Sequence, residues 1–139
     1  SDSFQVHTTT LGSQERPDVA ALDTGGFVVA WEAFDGWGRG FYIQQYDAAG
    51  NLLNDGVRSL NYDARGRLVQ AILGNAQSRY QLDAFGRRVR KNIGTPDEIV
   101  FHYDSAGHLI AETRPDGRVI RETLYLHNTP VAVVLGASL

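Results

Sequence analysis

The chain has 139 residues, 42% hydrophobic and 21% charged, with a formal net charge of −3. That composition describes a folding chain rather than a disordered one, long enough for one modest core. The absence of cysteine excludes a disulfide framework and a cysteine-based zinc site, and no run of 18 apolar residues offers a membrane-spanning helix. Apolar residues alternate or form short runs rich in Val, Ile, Tyr, Phe and Leu, punctuated by Gly, Asp and Asn every 8–12 residues, which predicts an all-β chain of antiparallel hairpins. In chain order the expected strands are Phe4–Thr9, Asp18–Asp23, Gly26–Ala33, Gly40–Tyr46, Val57–Tyr62 and Leu68–Leu73. They continue with Ser78–Asp83, Arg88–Asn92, Glu98–Tyr103, Leu109–Arg114, Val119–Leu126 and Val131–Leu135. Such hairpins form a meandering sheet, a barrel or a sandwich.

Charge divides the chain. Residues 1–52 carry two Arg against seven acids, and residues 53–139 are net basic, with a local run at Arg87, Arg88, Arg90 and Lys91. The run reads as a solvated strand face, so nucleic acid is not among the expected partners. The two vocabularies give two segments. Residues 1–52 are an N-terminal hairpin or blade-like piece, and residues 53–139 a repeat region, packed as one unit. A single blade cannot bury both of its faces, so it needs the second segment or another copy.

One phrase recurs: Tyr46-Asp47-Ala48-Ala49-Gly50-Asn51-Leu52, Tyr62-Asp63-Ala64-Arg65-Gly66-Arg67-Leu68, Leu82-Asp83-Ala84-Phe85-Gly86-Arg87-Arg88 and Tyr103-Asp104-Ser105-Ala106-Gly107-His108-Leu109. A shortened echo follows at Arg114-Pro115-Asp116-Gly117-Arg118-Val119. The spacing, near 20 residues, is that of one hairpin and its connection. Asp47, Asp63, Asp83 and Asp104 are expected to accept hydrogen bonds from backbone N–H groups two or three residues on. Gly50, Gly66, Gly86 and Gly107 are expected to supply the positive φ of a bulged turn. Tyr46, Tyr62, Tyr80 and Tyr103 are expected to stack between neighbouring repeats.

No catalytic constellation stands out, and the chain is expected not to be an enzyme and to need no cofactor. There is neither a Gly-x-Ser-x-Gly elbow nor a cysteine nucleophile, and Gly36, Gly38 and Gly40 lead to no phosphate-loop Lys. Glu32 and Asp35 resemble a glycosidase carboxylate pair only in spacing. Asp35, with Asp23 or Asp47, is the best calcium candidate, but Arg39 interrupts the ligand run, and no metal is expected. His7, His102, His108 and His127 show no metal spacing and read as exposed strand positions, although His102 and His108 flank one turn. Trp31 reads as core. Trp37, in a Gly-rich loop, with Tyr42 beside it, is the candidate platform for stacking on a sugar.

Residues 56–135 resemble the YD-repeat (Rhs) modules of large bacterial toxin proteins and their teneurin relatives, through "LNYDARGRLVQA", "YQLDAFGRRVRK", "FHYDSAGHLIAE" and "ETLYLHNTPVAVV". In that family the repeats form a spiralling sheet that wraps a hollow shell around cargo, and the repeats are scaffold. Residues 16–52 are similar to one copy of a Gly-Gly-Phe-Val-Val-x-Trp repeat of very large secreted, adhesin-like bacterial proteins. A shell needs dozens of repeats and this chain has about four. The resemblance therefore implies a fragment or hybrid joined near residues 51–56, and Ser1 in place of Met fits a processed piece. It implies a non-catalytic structural module, secreted or at the cell surface within a parent protein, and self-associating through sheet edges or continuous with that larger polypeptide. A carbohydrate- or surface-binding module, with a glycan as ligand, is the alternative.

Overall fold

The computed structural model of the chain describes residues 12–34 and 38–136. The expected strand Phe4–Thr9 lies outside them, as do Asp35 and Trp37. Among the described residues the structure is all-β, with twelve antiparallel strands that follow the sequence order, so β1 and β12 are the end strands. They are β1 Gln14–Ala21, β2 Phe27–Phe34, β3 Arg39–Tyr46, β4 Leu52–Asn54, β5 Arg58–Tyr62, β6 Leu68–Leu73, β7 Ala76–Leu82, β8 Arg88–Lys91, β9 Ile99–Tyr103, β10 Leu109–Thr113, β11 Val119–Leu126 and β12 Thr129–Leu135. Of the forms expected, the strand order of the described residues is that of a meander.

The chain forms two compact units, Ser1–Ala76 and Gln77–Leu139. The change of vocabulary at residues 52 and 53 falls inside the first, within β4. That three-residue strand was not anticipated, because Leu52–Asn54 is too short to show an alternating period.

In the first unit, β2 and β3 pair without a break from Phe27↔Tyr46 to Phe34↔Arg39. One face gathers Phe27, Val29, Trp31, Tyr42 and Tyr46. Here Phe27 stacks on Tyr46 at 4.9 Å between ring centres, and Trp31 on Tyr42 at 5.8 Å. Val29, Ala33 and Tyr46 are buried, whereas Phe41 and Ile43 lie exposed on the opposite face. Strand β1 contains Pro17, which has no N–H to give to a sheet. It is accommodated because β1 is an end strand and bulges there, with Arg16 at a φ of 52° and the register shifting between Glu15 and Asp18.

The second unit is a meander from β7 to β12. Its buried residues are polar: Glu98, Glu112 and Thr113. Each has a partner. The Glu98 side chain accepts a hydrogen bond from the Gly94 N–H at 2.8 Å and pairs with Arg90. Glu112 pairs with Arg121, and the Thr113 hydroxyl lies 2.9 Å from His102 Nε2. Strand β12 is exposed along its whole length. Among the described residues no side chain is completely enclosed, so local bonding carries a larger share of the stability here than in a domain with a deep core.

Candidate functional site: a repeated turn clamp

The four Asp-x-x-Gly phrases build one object four times. At the first, Gly50 N–H donates to the Asp47 carbonyl at 3.1 Å, and Asp47 N–H to the Asn51 carbonyl at 3.0 Å. Gly66 and Asp63 repeat this with Arg67, Gly86 and Asp83 with Arg87, and Gly107 and Asp104 with His108. The glycines sit at φ between 72° and 91°, and each hairpin carries a register shift beside the turn. This is the bulged turn expected from the sequence.

The carboxylates accept from the N–H two residues on, as expected, and also from the N–H four residues on. Asp47 Oδ1 accepts from the N–H groups two and four residues on, Ala49 at 2.9 Å and Asn51 at 2.8 Å. Asp63 and Asp83 do the same, with Arg65 and Arg67, and with Phe85 and Arg87. The positive φ of Gly reverses the chain, which aims the next amide back at the carboxylate rather than into the ladder.

The residue that follows the Gly was missed by sequence reasoning. Its side chain closes the turn by donating to the second carboxylate oxygen: Asn51 Nδ2 to Asp47, Arg67 Nε to Asp63, Arg87 Nε to Asp83, and His108 Nδ1 beside Asp104, all at 2.7–2.8 Å. Asn, Arg and His share only a flat group with an N–H at the right reach, so a scan for residue identity passes over them. Position, immediately after the Gly, was the usable signal.

Two more turns use the same backbone frame without the aspartate. Leu22 and Gly25 bond as Asp47 and Gly50 do, with Gly26 in the fifth place, and Arg114, Gly117 and Arg118 repeat the frame in the echo. In the first unit the Asp47 charge acts on Tyr62, and the point where a Cβ of Gly66 would lie is 3.5 Å from the Asn51 side chain. The Asp47 and Asp63 turns are therefore neighbours.

The aromatic partners are mostly planar polar groups. Tyr46 stacks on Phe27 of β2 and donates its hydroxyl to Gln44 at 2.6 Å. The Arg87 guanidinium lies 4.7 Å from the Tyr103 ring centre, and the Tyr103 hydroxyl donates to the Arg88 carbonyl at 2.9 Å. Arg88 lies 4.4 Å over Tyr80, and the His108 ring stacks on Tyr125 at 4.7 Å. Tyr62 stands beside Asp47, and burial together with that charge raises its pKa. Tyr42 is packed on Trp31; its expected companion Trp37 lies outside the described residues. Glu32 is held by Arg16 at 3.1 Å and Arg39 at 3.2 Å.

These contacts hold the aspartates ionised. The Asp63 carboxyl is drawn from its ordinary 3.8 to about 2, first by the Arg67 side chain and then by the Arg67 N–H. The Asn51 side chain lowers Asp47 and the His108 side chain lowers Asp104. At Asp83 desolvation pushes upward, and the Arg87 hydrogen bonds outweigh it. A carboxyl depressed in the folded state stabilises the fold above its unfolded pKa and loses that contribution as pH falls through its folded one. For Asp63 the window runs from 3.8 down to about 2. Thermal melts across that window are expected to show falling stability. The Asp63→Asn variant is expected to start lower and to fall less steeply, and an unchanged slope would refute this role of the clamp.

No family model matches the chain. The chain is 37% identical over 79 residues to the double-stranded DNA deaminase toxin A of Burkholderia cenocepacia (strain H111), across 52% of this chain and 6% of that protein. The chain is thus toxin-associated, and it spans a small part of that relative's length. The expectation that it stands apart from enzymes is corrected by this likeness, because the relative is named for an enzymatic activity. Sequence reasoning weighed only constellations within these residues, and a partial likeness to a longer enzyme leaves no such mark. Zinc-dependent base deaminases hold their metal with His and Cys or with three Cys. This chain has no cysteine, and the described residues hold no group of three His, Cys, Asp or Glu able to bind a metal, so they do not fit such a centre.

Proposed function

We propose that the chain is a structural β-repeat segment of a deaminase-type toxin polypeptide, related to YD-repeat shells. In this reading the Asp-x-x-Gly turns set strand register, and the sheet edges join the segment to further strands. The observation that carries it is the recurrence of one turn, with the same backbone bonds and the same side-chain clamp, at every second connection from β3 to β10. A device repeated at hairpin spacing fixes geometry along a sheet. The deaminase activity belongs, in this reading, to the polypeptide as a whole.

A chimera tests it. The matched segment of the Burkholderia toxin is exchanged for the corresponding part of this chain, in wild-type form and with the turn aspartates in that part replaced by Ala. The first chimera is expected to resist protease as the parent does, and the second to be cut rapidly. Equal resistance of the two would remove the structural role assigned to the turns.

A further inference from the structure

Two Asp-Gly pairs, Asp55-Gly56 and Asp116-Gly117, fall among the described residues, and a third, Asp35-Gly36, lies partly outside them. Such a pair can cyclise, because the glycine nitrogen carries no neighbouring Cβ to shield it from the aspartate side chain. The four clamp turns avoid the pairing. They keep Asp and Gly two residues apart and set Ala48, Ala64, Ala84 or Ser105 directly after the aspartate.

The echo does not. Arg114 takes the first place of the frame: its N–H donates to the Arg118 carbonyl at 2.8 Å, and its carbonyl accepts from the Gly117 N–H at 3.0 Å. The aspartate moves to the third place, where the clamps hold Ala49, Arg65, Phe85 and Ala106, and stands directly before Gly117. Pro115, Asp116, Gly117 and Arg118 are all exposed. Gly117 sits at a φ of 88°, with nothing within 4 Å of its would-be Cβ. Among the described residues the Asp116 carboxylate takes one hydrogen bond, from the Arg118 N–H at 2.9 Å.

Asp55 stands differently. Its Oδ1 accepts from the Val57 N–H at 3.0 Å and the Arg58 N–H at 2.6 Å. Its Oδ2 takes Arg58 Nε at 2.8 Å and Nη2 at 2.7 Å, and the side chain is only 10% exposed. Burial pushes this carboxyl upward, and the Arg58 hydrogen bonds outweigh it and hold it below its ordinary value. Cyclisation expels a carboxyl oxygen as water, so it consumes the neutral acid and needs the carboxyl to turn toward the backbone. At Asp55 four contacts oppose both, whereas at Asp116 a single bond has to break. The glycine amides do not separate the sites, since Gly56 N–H is also bonded, to Asn54 Oδ1 at 2.7 Å.

We propose that Asp116 is a site of covalent isomerisation to isoaspartate and that the fold holds Asp55 against the same reaction. The Gly117 nitrogen gives up its proton to water and bonds to the Asp116 side-chain carboxyl carbon, from which a hydroxyl leaves with a proton as water. The five-membered imide then takes up one water. Opening at the former main-chain carbonyl routes the chain through the side-chain carbon and frees the α-carboxylate, and opening at the other bond restores aspartate. No atom is gained or lost overall, and no oxidant or reductant takes part. The product lengthens the turn by one methylene and parts the bonds of Arg114 to Gly117 and Arg118. Arg114 also holds the Pro96 and Glu98 carbonyls, so the loosening reaches the loop between β8 and β9.

The whole chain, kept warm in mildly acidic buffer for several weeks, tests this. Its peptides are then assayed by methyl transfer from S-adenosylmethionine with an isoaspartyl carboxyl methyltransferase. Label is expected at Asp116, and at Asp55 about tenfold less or lower, the factor that one charged hydrogen bond commands. In denaturant the two sites are expected to label alike. Asp116→Glu is expected to lose the label there with unchanged circular dichroism, and Arg58→Ala to raise it at Asp55. No label at Asp116, or as much at Asp55 in the folded chain, would overturn the proposal. A gap that persists in denaturant would trace the difference to neighbouring residues and overturn the protection assigned to the fold.

Discussion

Replacing Gly26 by Ala is expected to cost about 3–5 kcal/mol and to unfold the first unit at moderate temperature, by combining backbone strain with overpacking. Gly26 sits at a φ of 89°, and a Cβ there would lie 2.2 Å from the Tyr46 carbonyl oxygen and 3.0 Å from the Asp47 Cα. Those are backbone atoms of the neighbouring turn and cannot swing aside. Gly50 separates the two effects. Its φ is 85°, nearly the same, yet nothing lies within 4 Å of its would-be Cβ. Gly50→Ala carries the strain alone, about 1–2 kcal/mol. Urea titration of the two variants should place Gly26→Ala well below Gly50→Ala. Equal costs would mean that the turns do not approach one another this closely.

In the second unit the largest effect is expected at Arg90. Glu98 closes the loop between β8 and β9: its carboxylate takes the Gly94 N–H at 2.8 Å, and its own N–H reaches the Thr95 carbonyl at 3.1 Å. Arg114 Nη1 ties the same loop to the next turn through the Pro96 and Glu98 carbonyls at 3.4 Å each. The Arg90–Glu98 pair is lopsided, with side chains 40% and 7% exposed. Removing Arg90 strands a buried carboxylate, a loss of about 3–5 kcal/mol. Removing Glu98 leaves a guanidinium that already reaches water, so Glu98→Ala is expected to cost about 1–2 kcal/mol, mainly through the unpaired Gly94 amide. Glu98→Gln should therefore destabilise the wild type and stabilise Arg90→Ala. A double-mutant cycle in which Arg90→Ala costs less than Glu98→Ala would contradict this assignment.

The turns were legible because their information is local. Asp, Gly and the intervening residues lie within five positions, and the bonds that define the turn run between them. The fold class followed, since evenly spaced turns with alternating apolar residues leave only hairpins. The frame at Leu22–Gly26 was not recognised as the same turn, because Leu22 keeps the backbone bonds and lacks the carboxylate. Strand β4 escaped for want of length. Glu98 and Glu112 escaped because a buried carboxylate is defined by partners from other strands, Arg90 and Arg121, that no local pattern marks.

The central claim is that the repeated turns, rather than a deep core, hold this sheet in register. Amide hydrogen exchange measured residue by residue tests it most directly. The account predicts that the N–H groups of Asp47, Asp63, Asp83 and Asp104, and those of Asn51, Arg67, Arg87 and His108, are protected as strongly as mid-strand amides such as Ala30 and Ala71. Turn amides that exchange at open-chain rates, while the strands stay protected, would contradict it.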